Sequence, residues 1–174
     1  CGINPETDVE IVIVPPSLMP DALAKKQLDG YCVGEPWNSI SVSNGDGFII
    51  TTKSEIWKSS PEKVLGVRND WAEGNPELLS SLIRALNESA LWCGNRENLS
   101  ELSHILSKTE YLSVSSSIIE RGLTGSIELQ EGVTSQLSDF MVPFERAANF
   151  PWQSHALWFY TQMVRWKQID QTAE

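Results

Sequence analysis

A dense run of β-branched residues ended by two prolines constrains the fold more than any other feature of this sequence. Residues 9–14 are Val-Glu-Ile-Val-Ile-Val, and Pro15-Pro16 follows directly. β-Branched side chains pack well on a pleated surface, whereas proline cannot donate the hydrogen bond that would continue a strand. We therefore expect a buried strand over 9–14 that stops at the prolines.

A helix and a second strand are predicted directly after this run. Apolar residues recur at helical spacing over 17–26, behind Ser17, which is a favourable N-cap residue. Asp29-Gly30 indicates a turn, and residues 31–33 a short strand. A strand, a helix and a strand in about 25 residues predict a parallel βαβ unit and an α/β fold class.

The remainder of the chain is predicted to be richer in helices. Further strands are expected over 48–52, 64–67 and 127–129, with a polar loop over 130–138. Helices are expected from Trp37, from Asn75 as N-cap to about Trp92, over 99–106 and 113–119, and from Ser154 as N-cap to Trp166. This pattern does not close a symmetrical sheet, so the strands should belong to a larger, shared architecture.

Composition excludes several functional classes. With 174 residues, 41% of them hydrophobic, the chain should fold as one soluble globular unit. No apolar run, Ile11–Val14 included, approaches the roughly 18 to 20 residues that cross a membrane. A net charge of −10 argues against nucleic acid and means that an anionic ligand must be held by short-range donors.

The start of the chain and its cysteines indicate little about compartment or metal. The sequence opens on Cys1-Gly2 without Met or a signal segment, so we expect a cut inside a longer protein, which leaves localisation open. Cys1, Cys32 and Cys93 have no metal-ligand spacing, and small buried hydrophobic side chains are the expectation for the last two.

Two positions at predicted strand ends could bind an anion. At Gly34-Glu35-Pro36-Trp37 a glycine lets the backbone approach a ligand, and helical amides follow; the alternative is a plain strand-to-helix turn. Lys63 precedes the strand 64–67, and its ammonium could pair with an oxyanion; the alternative is an exposed lysine beside Glu62.

Catalytic patterns are weak. His104 and His155 fall in no Ser/His/Asp or Cys/His order, and structural roles are expected for both. The chain has no Gly-rich phosphate-binding pattern, and its carboxylates are scattered. The aromatic residues of the last helix are expected to pack in a core rather than on a ligand.

Strings along nearly the whole chain resemble the nitrate- and bicarbonate-binding proteins of ABC importers, and equally the cytoplasmic nitrate/nitrite sensor that restrains an RNA-binding antiterminator. The most specific string is Cys32-Val-Gly-Glu-Pro-Trp37. The others are Val9–Pro16, Ile56-Trp57, Pro61–Leu65, Arg68–Trp71, Leu106–Leu112, Asn149–Trp152, Trp158-Phe159 and Arg165-Trp166. The match corresponds to the C-terminal part of those proteins.

The resemblance implies a two-lobed periplasmic-binding-protein fold of type II, with the ligand in the cleft between lobes. Residues 1–50 would belong to the second lobe, and 51–174 would form the crossover and the helix-rich return to the first. Five residues would line one wall: Pro16, Val33, Gly34, Glu35 and Trp37. Lys63 occupies the position where nitrate binders carry lysine and bicarbonate binders carry an acid that recruits calcium.

These implications predict a non-catalytic receptor for nitrate or nitrite that needs no metal or other cofactor. Its partner would be an ABC permease in the periplasm or at a lipid anchor, or an antiterminator if the protein is the cytoplasmic sensor. An enzyme on the same fold, similar to a thiamine-pyrimidine synthase, is the alternative from another class. One departure concerns Lys167, where relatives often place glycine, which puts the end of the last helix in question.

Overall fold

The structure, a computed structural model, describes residues 2–58 and 60–172. The chain divides into two compact units, each built from two separate stretches. Unit 1 comprises Cys1–Ile56 and Ser100–Met141, and unit 2 comprises Trp57–Leu99 and Val142–Glu174. The predicted assignment of 1–50 and 51–174 to lobes of a larger protein is a different division and stays a prediction.

Helices dominate both units. The α-helices are α1 Met19–Ala24, α2 Trp37–Ser43, α3 Lys53–Ile56, α4 Asn69–Gly74, α5 Pro76–Gly94, α6 Leu99–Ser107, α7 Ser116–Thr124 and α8 Gln153–Arg165. Short 3₁₀ turns lie at Pro16–Leu18, Arg96–Asn98 and Glu145–Ala147. The long periodic segments were predicted to within a few residues, whereas the short helices α3 and α4 were not predicted.

An antiparallel hairpin forms the centre of unit 1. Its strands are β1 Ser126–Gln130 and β2 Val133–Gln136, joined by a turn that contains Gly132 at a φ of +73°. The side chain of Ile127 is completely buried, and α2 and α7 pack against β1. The strand predicted at 127–129 is confirmed, but the polar loop predicted over 130–138 is wrong, because polar residues suit the exposed β2.

The parallel βαβ pairing expected for the early segments is not formed within the residues the structure describes. Segments 9–14, 31–33, 48–52 and 64–67 carry no strand there, and the hairpin is the only sheet. A strand needs a partner for its ladder, and these segments find none in the chain: Ile13 is 100% exposed. Among the described residues, one backbone hydrogen bond links these segments to β1: the Ile49 N–H donates to the Leu129 carbonyl at 2.7 Å.

Side-chain capping differs from the sequence prediction. Asn75 is the N-cap residue of α5 as expected, but its side chain donates backwards to the Trp71 carbonyl at 2.9 Å. Ser17 lies inside a 3₁₀ turn and Ser154 inside α8, so neither is an N-cap residue. Helix position followed the apolar spacing, whereas the capping partner depended on neighbours that spacing does not specify.

Helices α1, α2 and α8 end in the same left-handed arrangement. After α8, Lys167 has a φ of +58°, its N–H donates to Val164 O at 3.0 Å, and Gln168 N–H donates to Met163 O at 2.9 Å. These two bonds define a Schellman motif, in which glycine is the usual left-handed residue. The helix therefore ends here despite the lysine. Gly45 after α2 and Lys26 after α1 adopt the same conformation.

The two units differ in how much they bury. All buried side chains among the described residues belong to unit 1, and they include Ala22, Val42, Leu102, Ile119 and Ile127. In unit 2 the aromatic residues of α8 remain partly exposed, with Trp158 at 41%, although its ring lies 4.4 Å from that of Trp57. The core predicted for this aromatic group is thus only partly formed.

No helix in the described part of the chain is both long enough and apolar enough to span a bilayer.

Candidate functional site

The Gly34–Trp37 turn leads directly into α2 and is tied to it by side chains. The Tyr31 hydroxyl donates to the Trp37 carbonyl at 2.9 Å and lies 2.7 Å from Ser41 Oγ. Asn38 Nδ2 donates to the Val33 carbonyl at 2.7 Å. The Asn38 contact joins the two sides of the turn, and the Tyr31 contacts join a residue before the turn to α2.

Gly34 presents an open backbone donor within this turn. The residue is exposed, and a Cβ placed there would meet no atom within 4 Å. In the described ranges its N–H has no acceptor. An exposed N–H on a fixed backbone can donate to a ligand without first breaking another bond, which is what a small anion requires of a neutral donor.

Glu35 is a half-buried carboxyl beside this donor. Burial raises its pKa above the usual 4.5, and hydrogen bonds from Ser39 and Asn38 oppose that rise. Its Oε2 accepts from the Ser39 N–H at 3.3 Å, so the side chain closes the first turn of α2. Burial thus favours the neutral form of a group whose ionised form would repel an anion.

The other predicted wall residues lie near the same elements of unit 1. Val33 and Trp37 flank the turn and are half-buried, and Pro16 is exposed at the start of the 3₁₀ turn before α1. Helix α1 packs against α2. The roles predicted for Pro16, Val33, Glu35 and Trp37 as ligand contacts stay predictions.

Lys63 belongs to unit 2, and its surroundings are described within that unit. The side chain is 84% exposed, and its Nζ lies 3.5 Å from Glu62 Oε1. A contact this long between exposed groups contributes little, so the ammonium can turn to another acceptor at small cost. Lys63 is thus an exposed lysine beside Glu62, and its predicted role as an anion donor stays a prediction.

Three polar residues that form hydrogen bonds around this turn and α2 were not singled out from the sequence. They are Tyr31, Asn38 and Ser39. An asparagine in the first turn of a helix, five residues after the carbonyl that it reaches, gives a weak sequence signal, because its partner is known only once the turn is folded.

The histidines lie outside this turn. His104 is exposed on α6 and His155 is half-buried on α8. Across residues 2–58 and 60–172, no three His, Cys, Asp or Glu side chains are grouped so that they could hold a metal ion.

Comparison with known proteins gives one family and several relatives. The model of the NMT1-like family matches residues 1–107. The chain is 37% identical over 99% of its length to the nitrate/nitrite binding protein NrtA of Synechococcus elongatus, and covers 39% of that protein. It is 36% identical over 97% of its length to the nitrate import ATP-binding protein NrtC of Synechocystis, and covers 25% of it.

A solved structure agrees with these relatives. The crystal structure of the periplasmic nitrate-binding protein NrtA from Synechocystis matches 99% of this chain with a TM-score of 0.92 and 32% identity, and the chain covers 45% of it. The match confirms the predicted periplasmic-binding-protein-like fold class and the resemblance to nitrate-binding proteins. The chain spans about two fifths of the length of the curated nitrate-binding relatives.

Proposed function

Because the chain belongs to the NMT1-like family, we propose that it forms part of a non-catalytic receptor for nitrate or nitrite that serves an ABC importer. The observation that carries this proposal is the exposed Gly34 N–H, which has no acceptor in the described part of the chain. Relatives named for nitrate binding and nitrate import support the choice of ligand and of transport.

The Gly34 N–H supplies a neutral donor, and Lys63 supplies the charge. A protein with a net charge of −10 repels anions at long range, so binding must come from donors in direct contact with the ligand. Gly34 lies in unit 1 and Lys63 in unit 2, and each is proposed as a donor separately. Pro16, Val33, Glu35 and Trp37 are the remaining proposed ligand contacts.

Lys63 also favours nitrate over bicarbonate. The resemblance implies that bicarbonate binders carry an acid at this position, which would need a bound cation to bridge to the anion, whereas a lysine can pair with an oxyanion directly. For this reason we propose nitrate or nitrite as the ligand, and not the bicarbonate for which one relative at 37% identity is named. The proposed receptor works without a metal.

The likeness to an import ATP-binding protein does not extend to nucleotide binding. A phosphate-binding loop requires a glycine followed by lysine, and no glycine of this sequence precedes a lysine. We place the chain on the ligand-capturing side of transport, in the periplasm or at a lipid anchor, with an ABC permease as its partner.

Titration calorimetry on the full-length protein tests this function. Wild type should bind nitrate, and Lys63→Ala should weaken binding by roughly 10- to 150-fold, the effect of losing a charged hydrogen bond worth about 1.5 to 3 kcal/mol. Lys58→Ala is the matched control, because Lys58 is also an exposed lysine of unit 2. Nitrate affinity that is equal in wild type and Lys63→Ala refutes the role of Lys63, and no nitrate binding by wild type refutes the function.

A further inference from the structure

The peptide group between Val33 and Gly34 has a hydrogen-bond acceptor, the Val33 carbonyl, and a hydrogen-bond donor, the Gly34 N–H. Its carbonyl oxygen, on Val33, accepts from Asn38 Nδ2 at 2.7 Å. Its N–H, on Gly34, is exposed and has no acceptor among the described residues. The Val33–Gly34 peptide bond is trans.

In a planar trans peptide the C=O and N–H bonds point in opposite directions. Asn38 lies on α2 and draws the Val33 carbonyl towards that helix. The Gly34 N–H must then point away from the Asn38 side chain. One hydrogen bond to the oxygen thus sets the direction of the donor on the other end of the same rigid unit.

This hydrogen bond is needed because glycine does not fix the orientation by itself. Gly34 has no Cβ, so its backbone can adopt more conformations than that of any other residue type. A rotated peptide would present the Val33 carbonyl oxygen where the N–H now lies. That oxygen would repel an anion instead of binding it.

We propose that Asn38 is a positioning residue that holds the Gly34 N–H in the orientation that donates to the bound oxyanion. The inference rests on the proposed function and assigns a role to a residue that does not itself touch the ligand. Asn38 acts through the peptide plane, and its amide supplies a donor because the Val33 oxygen can only accept.

Two other hydrogen bonds provide a matched control on the same helix. The Tyr31 hydroxyl bonds to the Trp37 carbonyl and to Ser41 Oγ, so Tyr31→Phe also loosens α2 but leaves the Val33–Gly34 peptide untouched. A merely structural role for Asn38 would make the two variants alike. An orienting role separates them.

The experiment measures nitrate affinity by calorimetry and the Gly34 amide proton by NMR in the full-length protein. In Asn38→Ala we expect affinity to fall by about threefold to tenfold, the range for one neutral hydrogen bond. The downfield shift of the Gly34 amide proton on saturation with nitrate should shrink in the same variant. Tyr31→Phe should lower the thermal midpoint while keeping affinity within about twofold and retaining the shift.

A third variant separates the peptide route from the neighbouring carboxyl. Asn38 also hydrogen-bonds to Glu35, so the Asn38→Ala measurement is repeated in the Glu35→Gln background, where the loss of affinity should persist. If the loss disappears there, or if Tyr31→Phe matches Asn38→Ala, the orienting role is refuted. Unchanged nitrate binding in Asn38→Ala overturns this inference alone, whereas no binding by wild type overturns the proposed function with it.

Discussion

Replacement of Gly125 by alanine should destabilise unit 1 strongly, for two separable reasons. Gly125 ends α7 at a φ of +71°, in the left-handed region that costs a residue with a Cβ roughly 1 to 2 kcal/mol. An added Cβ would also lie 2.1 Å from the carbonyl oxygen of Leu137. That oxygen is backbone, so it cannot move aside as the end of a flexible side chain could.

Relief of this clash requires the two backbones to separate. They are joined by the hydrogen bond from Leu137 N–H to Gly125 O at 2.8 Å, and separation gives up about 0.5 to 1.5 kcal/mol. The two contributions together give a loss of about 1.5 to 3.5 kcal/mol for Gly125→Ala. A loss of this size is a large fraction of the stability of an ordinary domain.

Gly132→Ala isolates the conformational part of this loss. Gly132 has nearly the same φ, +73°, but a Cβ there would meet nothing within 4 Å. Urea unfolding of the full-length protein, followed by circular dichroism, compares the free energies of unfolding of wild type and both variants. We expect Gly125→Ala to be the less stable variant; equal losses in the two would show that the Leu137 contact does not matter.

Two further predictions concern unit 2 and the candidate site. Lys167→Gly should raise the free energy of unfolding by roughly 1 kcal/mol, because glycine takes the left-handed Schellman position without the Cβ penalty. A lower free energy of unfolding, measured in urea, would contradict this prediction. Arg165→Gly is the control and should destabilise the protein, because Arg165 belongs to α8. Since burial raises the pKa of Glu35, its contribution to stability is present below the unfolded value of 4.5 and is lost as pH rises through the folded pKa. In wild type, the Glu35 contribution should therefore lower the thermal midpoint as pH rises above 4.5, and Glu35→Gln should remove this decrease. The same dependence of the thermal midpoint on pH in wild type and Glu35→Gln would disprove the prediction.

Helices could be predicted from this sequence better than strands because the two depend on different distances along the chain. The apolar spacing of α5 and α8 is local, so their bounds follow from the sequence to within a few residues. Segment 9–14 has strong strand composition, but a ladder needs a second strand, and the described chain offers none to it. Composition therefore predicted an extended conformation for this segment but could not identify a partner strand.

The candidate site likewise has one part that the sequence predicts and another that depends on the folded chain. Gly34 was predicted as an anion donor because a glycine after an apolar segment and before a helix is visible in sequence. The hydrogen bond from Asn38 to the Val33 carbonyl was not predicted, because it exists only when the turn brings α2 back onto the preceding residues. The chemistry of the donor could be derived from residue type, whereas its orientation required the folded turn.

The division of each unit into two stretches has a consequence for biosynthesis. Helix α2 ends at Ser43 and its packing partner β1 begins at Ser126, so about 80 residues must emerge from the ribosome between them. At typical rates of 5 to 20 residues per second, this is a delay of roughly 4 to 16 seconds. Throughout this delay α2 lacks the strand that it packs against, so the surface that α2 buries on β1 stays exposed to water in the nascent chain.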